Sequence, residues 1–240
     1  MSKLPLFEAR TSSSDKSDVK TDLDIIAVFQ DSSNKAISPK GGAKDGYAAQ
    51  VDKLRKSDTF SAKHGSMQVV RFGGKEPAES VLYLGLGQVG NLTEEKFRLA
   101  GGMLAAKVAA EKFQHVVVHV DSIFDQKNQL SQSRCVRSLA EGVALTAYQF
   151  NKYKSKASGG VEASSGIHWV WVTRDKSLKT QLDLEFRQIL EMAQAVNVTR
   201  NWSNEPSNHG TPLYFANEAK KFSKEYGLKY RVLTIKDAIR

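Results

Sequence analysis

The spacing of apolar residues changes period several times along this chain, and each change marks an element. Leu23 to Gln30 is apolar at nearly every position and predicts a buried strand. Tyr47 to Lys56 predicts a short helix, and Met67 to Phe72 and Val81 to Leu86 two further strands. From Thr93 to Lys112 the pattern turns helical, with Phe97, Gly101, Leu104 and Val108 on one face. Val116 to Val120 predicts a strand, and Ser131 to Phe150 a helix carrying Val136, Leu139, Val143 and Ala147 on one side. Ile167 to Val172 predicts another strand. A long helix then runs from about Ser177 to Thr199, striped by Leu182, Phe186, Ile189, Ala193 and Val196. Such alternation argues for an α/β domain built on a mixed or largely parallel sheet. Residues 1–20 are polar and are expected to fray.

Beyond the long helix, Asn201, Ser203, Asn204, Pro206, Ser207, Asn208 and Gly210 favour a compact turn. Thr211 suits an N-cap and Pro212 the first helical position, where a missing N–H costs nothing. Phe215, Ala219, Phe222 and Tyr226 stripe the helix that follows, Gly227 is a natural stop, and Leu228 to Ile235 predicts a strand. A lone helix and strand cannot cover both faces of a sheet or satisfy both ladder edges. Either this strand docks on the first domain, or it opens a second.

Composition narrows the class. Of 240 residues, 40% are hydrophobic and 25% charged, the balance of an ordinary globular domain. The single cysteine, Cys135, excludes an intrachain disulfide framework and fits a reducing compartment. No apolar run approaches the ~20 residues a membrane span needs. The first residues lack a signal-peptide core and carry Glu8, Asp15, Asp18 and Asp22, against a transit peptide. Sequons begin at Asn91, Asn197 and Asn201, but without an export signal the expected address is cytoplasmic. A net charge of +9 raises nucleic acid as a partner. Lys152, Lys154 and Lys156 around Tyr153, leading into Ser158-Gly159-Gly160, form the densest basic patch. A solvated helix end explains them as well, because cations favour a helix C-terminus.

Candidate chemistry is sparse. Gly85-Leu86-Gly87-Gln88-Val89-Gly90 spells G-x-G-x-x-G after a strand and before a helix, where a pyrophosphate could meet a helix N-terminus. Glu94 and Glu95 in the first turn would repel it, Gly90 precedes the N-cap Thr93, and no acid ends a strand ~20 residues on. A tight strand-to-helix turn is the reading preferred here. His115 and His119 have the spacing of a helical metal pair, but Val116 to Val118 mark a strand that sets them ~13 Å apart. Cys135 sits beside an apolar stripe with Arg134 and Arg137 near, and reads as a core thiol rather than a nucleophile. Asp22 and Asp24 read as a solvated strand start, and His209 as a turn residue. No residue is assigned a catalytic, cofactor-binding or metal-binding role.

The stretch from Arg200 to Pro212 resembles a signature of the leucyl (cytosol) aminopeptidase family, commonly Arg-Asp-Leu-x-Asn-x-Pro-x-Asn-x-x-Thr-Pro. Arg200, Asn204, Pro206, Asn208, Thr211 and Pro212 match; Asn201 and Trp202 stand where the family has Asp and Leu. The resemblance extends back through Tyr148-Gln149-Phe150-Asn151-Lys152-Tyr153-Lys154, Glu141-Gly142 and Gly85-Leu86-Gly87. It implies a macro-domain-like, three-layer N-terminal domain over residues 21–175 and a linking helix over 176–203. The beginning of an incomplete catalytic α/β domain would follow over 204–240. It also implies a homohexamer that releases N-terminal amino acids from peptides, using two divalent cations (zinc, manganese or magnesium) that activate water and polarise the scissile carbonyl. The family motifs that hold those cations, Gly-Lys-Gly, Phe-Asp-Ser-Gly-Gly and Asn-Thr-Asp-Ala-Glu-Gly-Arg-Leu, do not occur in residues 1–240. The chain is therefore expected to be inactive alone and to serve oligomer assembly, pairing with full-length aminopeptidase subunits, or active-site access. A stand-alone module binding nucleic acid, or a nucleotide or ADP-ribose, is the alternative.

Overall fold

A computed structural model of the chain describes residues 4–11, 21–37, 45–56, 59–71, 78–127, 129–154 and 166–238. Phe72, Lys156 and the Ser158–Gly160 loop lie outside them. The strands are β1 (Leu6–Thr11), β2 (Thr21–Gln30), β3 (Met67–Arg71), β4 (Ala78–Gln88), β5 (His115–His119) and β6 (His168–Thr173). The helices are α1 (Asp45–Lys56), α2 (Glu94–Ala110), α3 (Gln132–Thr146), α4 (Lys176–Ser203), α5 (Pro212–Tyr226) and α6 (Ile235–Ala238). All six strands form one sheet in the order β1-β6-β5-β2-β4-β3, parallel except for β3 at one edge. The mixed α/β sheet read from the apolar pattern is thus the architecture observed.

Period-two burial explains the layers. One sheet face carries Leu23, Ile25, Leu82, Leu84, Val116, Val118, Trp169 and Trp171. Onto it pack Phe97 and Leu104 of α2, Leu139 and Val143 of α3, and Leu182, Phe186 and Ile189 of α4. The opposite face carries Ile26, Val28, Val81 and Tyr83 beneath Val51 and Leu54 of α1. Trp169, Trp171 and Phe97 are at most 1% exposed, and side chains of this size each stabilise the fold by roughly 1.5–3 kcal/mol on burial. Helices α2 and α3 approach so closely that a Cβ on Gly101 would lie 2.0 Å from the Leu139 carbonyl oxygen. One on Gly142 would lie 1.9 Å from that of Arg98.

Three expectations fail. Residues 6–11 are not frayed: Leu6 N–H donates to the Ile167 carbonyl, and β1 pairs in parallel with β6. Phe7 drives this, its ring 5.9 Å from Trp171 and 5.3 Å from Phe186. Helix α3 stops at Thr146 rather than Phe150; the chain then turns so that Lys154 N–H meets the Asn151 carbonyl and Phe150 packs on Tyr153. Leu228 to Ile235 form no strand. Among the described residues no neighbour completes a ladder for them, and an unpaired alternating segment gains nothing from extension.

Two compact units divide the chain, Met1–Asn197 and Val198–Arg240. The first contains the sheet and its layers. Within the second, the Trp202 ring lies edge-on to Phe215 (6.1 Å) and Phe222 (5.6 Å), and Phe222 stacks on Tyr226. None of the α5 side chains is fully buried.

Candidate functional site

The signature loop is built by local hydrogen bonding. After α4, the Asn204 and Glu205 N–H groups donate back to the Arg200 and Trp202 carbonyls. The Pro206 carbonyl then accepts from both His209 and Gly210 N–H at 2.8 Å, closing a tight turn. Thr211 Oγ1 accepts from Tyr214 N–H as the N-cap of α5, Pro212 takes the first turn, and Gly227 (φ 65°) ends the helix in the left-handed region. The matched family positions therefore serve as turn and cap residues, and the exposed His209 ring belongs to the turn. Trp202, which departs from the family's Leu, supplies the aromatic anchor for α5.

The glycine turn is equally self-contained. Gly85 N–H donates to the Ser66 carbonyl (2.8 Å) and Gly87 N–H to the Ala62 carbonyl (3.0 Å). Those amides are the groups a phosphate would need, and the chain's own carbonyls hold them. Gly85 is required because a Cβ there would meet the Lys63 carbonyl at 2.4 Å. Gly87 (φ 78°) sits where the β2–β4 register slips between Val28 and Phe29, the left-handed position of a bulge. The strand order reverses direction between β2 and β5, where open α/β sheets leave a crevice. Here Ser122 reaches into it, donating to the His119 carbonyl and accepting from Ala27 N–H at 2.9 Å.

A polar hollow of the first unit lies among α2, α3 and α4. It encloses about 450 Å³ and is lined in part by Glu94, Arg134, Arg137, Glu141 and Glu185. Glu141, nearly buried, accepts from Arg98 (3.0 and 3.1 Å) and from Arg137 (3.2 Å), so two guanidiniums compensate one carboxylate. Arg137 also donates to Gln188. Glu185 Oε1 accepts from Gln181, whereas its buried Oε2 makes no hydrogen bond. Burial raises this carboxyl above its ordinary value, against the smaller opposing effect of Gln181. The sequence reading missed this network: the i, i+4 pair Arg137–Glu141 was visible, but Arg98 belongs to another helix.

The remaining candidates separate. His115 and His119 occupy opposite ends of β5, with Asp22 3.6 Å from the first and Asp24 3.3 Å from the second. Asp24 is fully buried, correcting its reading as a solvated strand start; His119, from a neighbouring strand, provides its company. Cys135 is buried, and burial pushes its thiol up to about 12, assisted by Glu94; Arg134 and Arg137 do not make it a thiolate. Lys152 lies over the Tyr153 ring at 5.3 Å in the turn after α3, not at a helix end. The paired cations implied by the family resemblance find no fit. Among the described residues no group of three or more His, Cys, Asp or Glu side chains could hold a metal ion. Nor is any described helix long and apolar enough to cross a membrane.

Comparison with known proteins places these observations. The family model "Cytosol aminopeptidase family, N-terminal domain" matches residues 25–157. A probable cytosol aminopeptidase of Alkaliphilus oremlandii is 29% identical over 189 residues, covering 78% of this chain and 36% of the relative. One of Rhizobium etli is 30% identical over 208 residues, covering 86% and 40%. Among solved structures, a mutant tomato leucine aminopeptidase superposes with TM-score 0.69 at 19% identity, over 94% of this chain and 43% of that one. The bottromycin maturation enzyme BotP does so with TM-score 0.61 at 19% identity, over 87% and 38%. At that identity the likeness concerns fold alone. The chain spans about two fifths of the length of the curated relatives it matches.

Proposed function

Since the chain belongs to the cytosol aminopeptidase family, we propose that it is the N-terminal portion of a leucyl aminopeptidase-like metallopeptidase, inactive alone. Its role is to build the oligomer, a homohexamer in the reading adopted here, or to govern access to the active sites, in the cytoplasm. One observation carries this. Residues 25–157, which hold most of the sheet, match an N-terminal domain, while the chain covers only 36–41% of relatives named as aminopeptidases. The strand order, with helices on both faces, supports a macro-domain-like description of the first unit. The second unit supports a catalytic-domain threshold, because α5 and the residues after it expose Leu213, Leu228, Leu233 and Ile235. Metal-assisted hydrolysis would be the work of groups this chain lacks, and no step of it is drawn through these residues.

Co-assembly is the test. Mixed and refolded with a full-length family aminopeptidase, the tagged chain is expected to co-elute with the larger enzyme on size-exclusion chromatography. Elution of the two as separate species under all ratios would overturn the assembly role. Nucleic-acid binding, suggested by the +9 charge, would instead appear as mobility shifts that weaken steeply with salt. Heat on titration with ADP-ribose would favour a nucleotide pocket, despite the occupied amides at Gly85 and Gly87.

A further inference from the structure

Beyond its first turn, helix α2 has no polar face. Between Phe97 and Ala110 its only charged residues are Arg98 and Lys107, and every other position is apolar or glycine. A helix of that kind is ordinarily covered on every side. The sheet and α3 take one side, burying Phe97, Ala100, Gly101, Leu104, Ala105 and Val108. The other side is open: Leu99 is 53% and Met103 40% exposed, and Ala106 and Ala110 lie exposed with them. These four, with Glu95 ahead of them, follow the spacing of one helix face. Met103 is held in place on that face by Gly65, where an added Cβ would lie 2.5 Å from its methyl carbon.

The charges at the two ends of this face indicate what covers it. Glu94 and Glu95 occupy the first turn and Lys107 the last. Laid antiparallel on a second copy of itself, α2 meets opposite charge at both ends, and the two helix dipoles oppose. A two-fold axis at the level of Gly101 sets Leu99 of one copy opposite Met103 of the other, and Glu95 opposite Lys107. Both pairs are centred on Gly101, and at about 100° per residue both straddle one direction on the helix, by ~20° and ~60°. The apolar pair falls at the centre of the contact and the ionic pair at its rim. Glu95 is 63% and Lys107 40% exposed, and each has one intrahelical partner, Arg98 and Glu111, which leaves it further hydrogen-bonding capacity.

We propose that the outward face of α2 docks a second copy of this chain. The two copies associate through a two-fold, antiparallel α2–α2 contact, with Leu99 packing on Met103 and Glu95 pairing with Lys107. A two-fold interface is isologous, so each of these pairs occurs twice. Ala106 comes opposite the aliphatic stem of Lys96 and lets the backbones approach. One helix pair buries less than the ~1,200 Å² of a standard interface, so the association is weak and reversible. The contact goes beyond the oligomer-building role proposed above, because it joins two copies of this chain with no aminopeptidase subunit present.

Sedimentation velocity of the purified full chain is expected to show a reversible shift from one-copy to two-copy species as concentration rises, weakened by salt. Leu99→Asp, at an exposed position, should leave the circular dichroism spectrum unchanged and weaken association at least ~10-fold. Glu95→Lys and Lys107→Glu should each weaken it by setting like charges face to face, and the double variant should restore it. That rescue separates a contact between copies from stabilisation of the helix within one, because the double variant loses both intrahelical pairs. Leu213→Asp, in the second unit, should leave association unchanged. The assignment is overturned by a parent chain that stays monomeric at every concentration, or by a Leu99→Asp variant that associates like the parent. A double variant as weak as either single one, or loss of association in Leu213→Asp, overturns it equally. With no aminopeptidase in the cell, the outcome is independent of the co-elution test above.

Discussion

Glu185 faces the hollow among α2, α3 and α4 with one oxygen held by Gln181 and the other buried without a hydrogen bond. Its folded pKa lies above the ordinary 4.5, so the penalty it imposes is absent below that value and grows as pH rises through the folded value. Glu185→Gln keeps an acceptor for Gln181 and removes the charge. The variant is expected to melt higher than the parent at pH 7 and to lose that advantage near pH 4, as followed by thermal circular dichroism. Cys135 makes a complementary case. With its thiol near 12 in a closed core, alkylation by iodoacetamide at pH 8 is expected to be very slow in the native chain and rapid in denaturant, by mass spectrometry. The buried character of Cys135 was legible because its neighbours form a helical stripe. That of Asp24 was not, because its partner His119 arrives from a strand nearly a hundred residues on, and nothing local to Asp24 reports it.

Helices α2 and α3 owe their close approach to Gly101, Gly102 and Gly142 rather than to large side chains. A methyl group on Gly142 would occupy space already held by the Arg98 carbonyl, backbone that cannot swing aside. Gly142→Ala is expected to destabilise the first unit by about 1–3 kcal/mol, the usual range for overpacking, measured by urea denaturation. An unchanged midpoint would mean that the two helices separate at little cost. Most elements were readable from period alone because each buries one full face against the sheet. The failures share a cause. β1 is a short edge strand whose existence depends on β6 and on Phe7 reaching Trp171. Leu228 to Ile235 has the alternation of a strand with no described neighbour to pair with. The glycine pattern, read as a tight strand-to-helix turn, has its amides held by the carbonyls of Ala62 and Ser66, which come from an irregular segment and leave no mark on the glycine spacing.

At the scale of the whole chain, the described residues of the first unit form a six-stranded sheet with helices on both faces. The second holds the end of α4, the signature turn, α5 and the short α6, and exposes Leu213, Leu228, Leu233 and Ile235. The family was legible from the Arg200–Pro212 signature because turn and cap residues are tied to fixed backbone geometry. The open face of α2 was not, since only the packing of α3 and the sheet shows which of its apolar residues stay outside. The proposed function rests on a chain that belongs to a peptidase family and in whose sequence the family's cation-holding motifs do not occur. Hydrolysis of leucine p-nitroanilide by the purified chain, with manganese added, tests it most directly. Release of nitroaniline is predicted to stay at the buffer rate across the chain's elution profile. Activity that co-elutes with the chain would contradict the account.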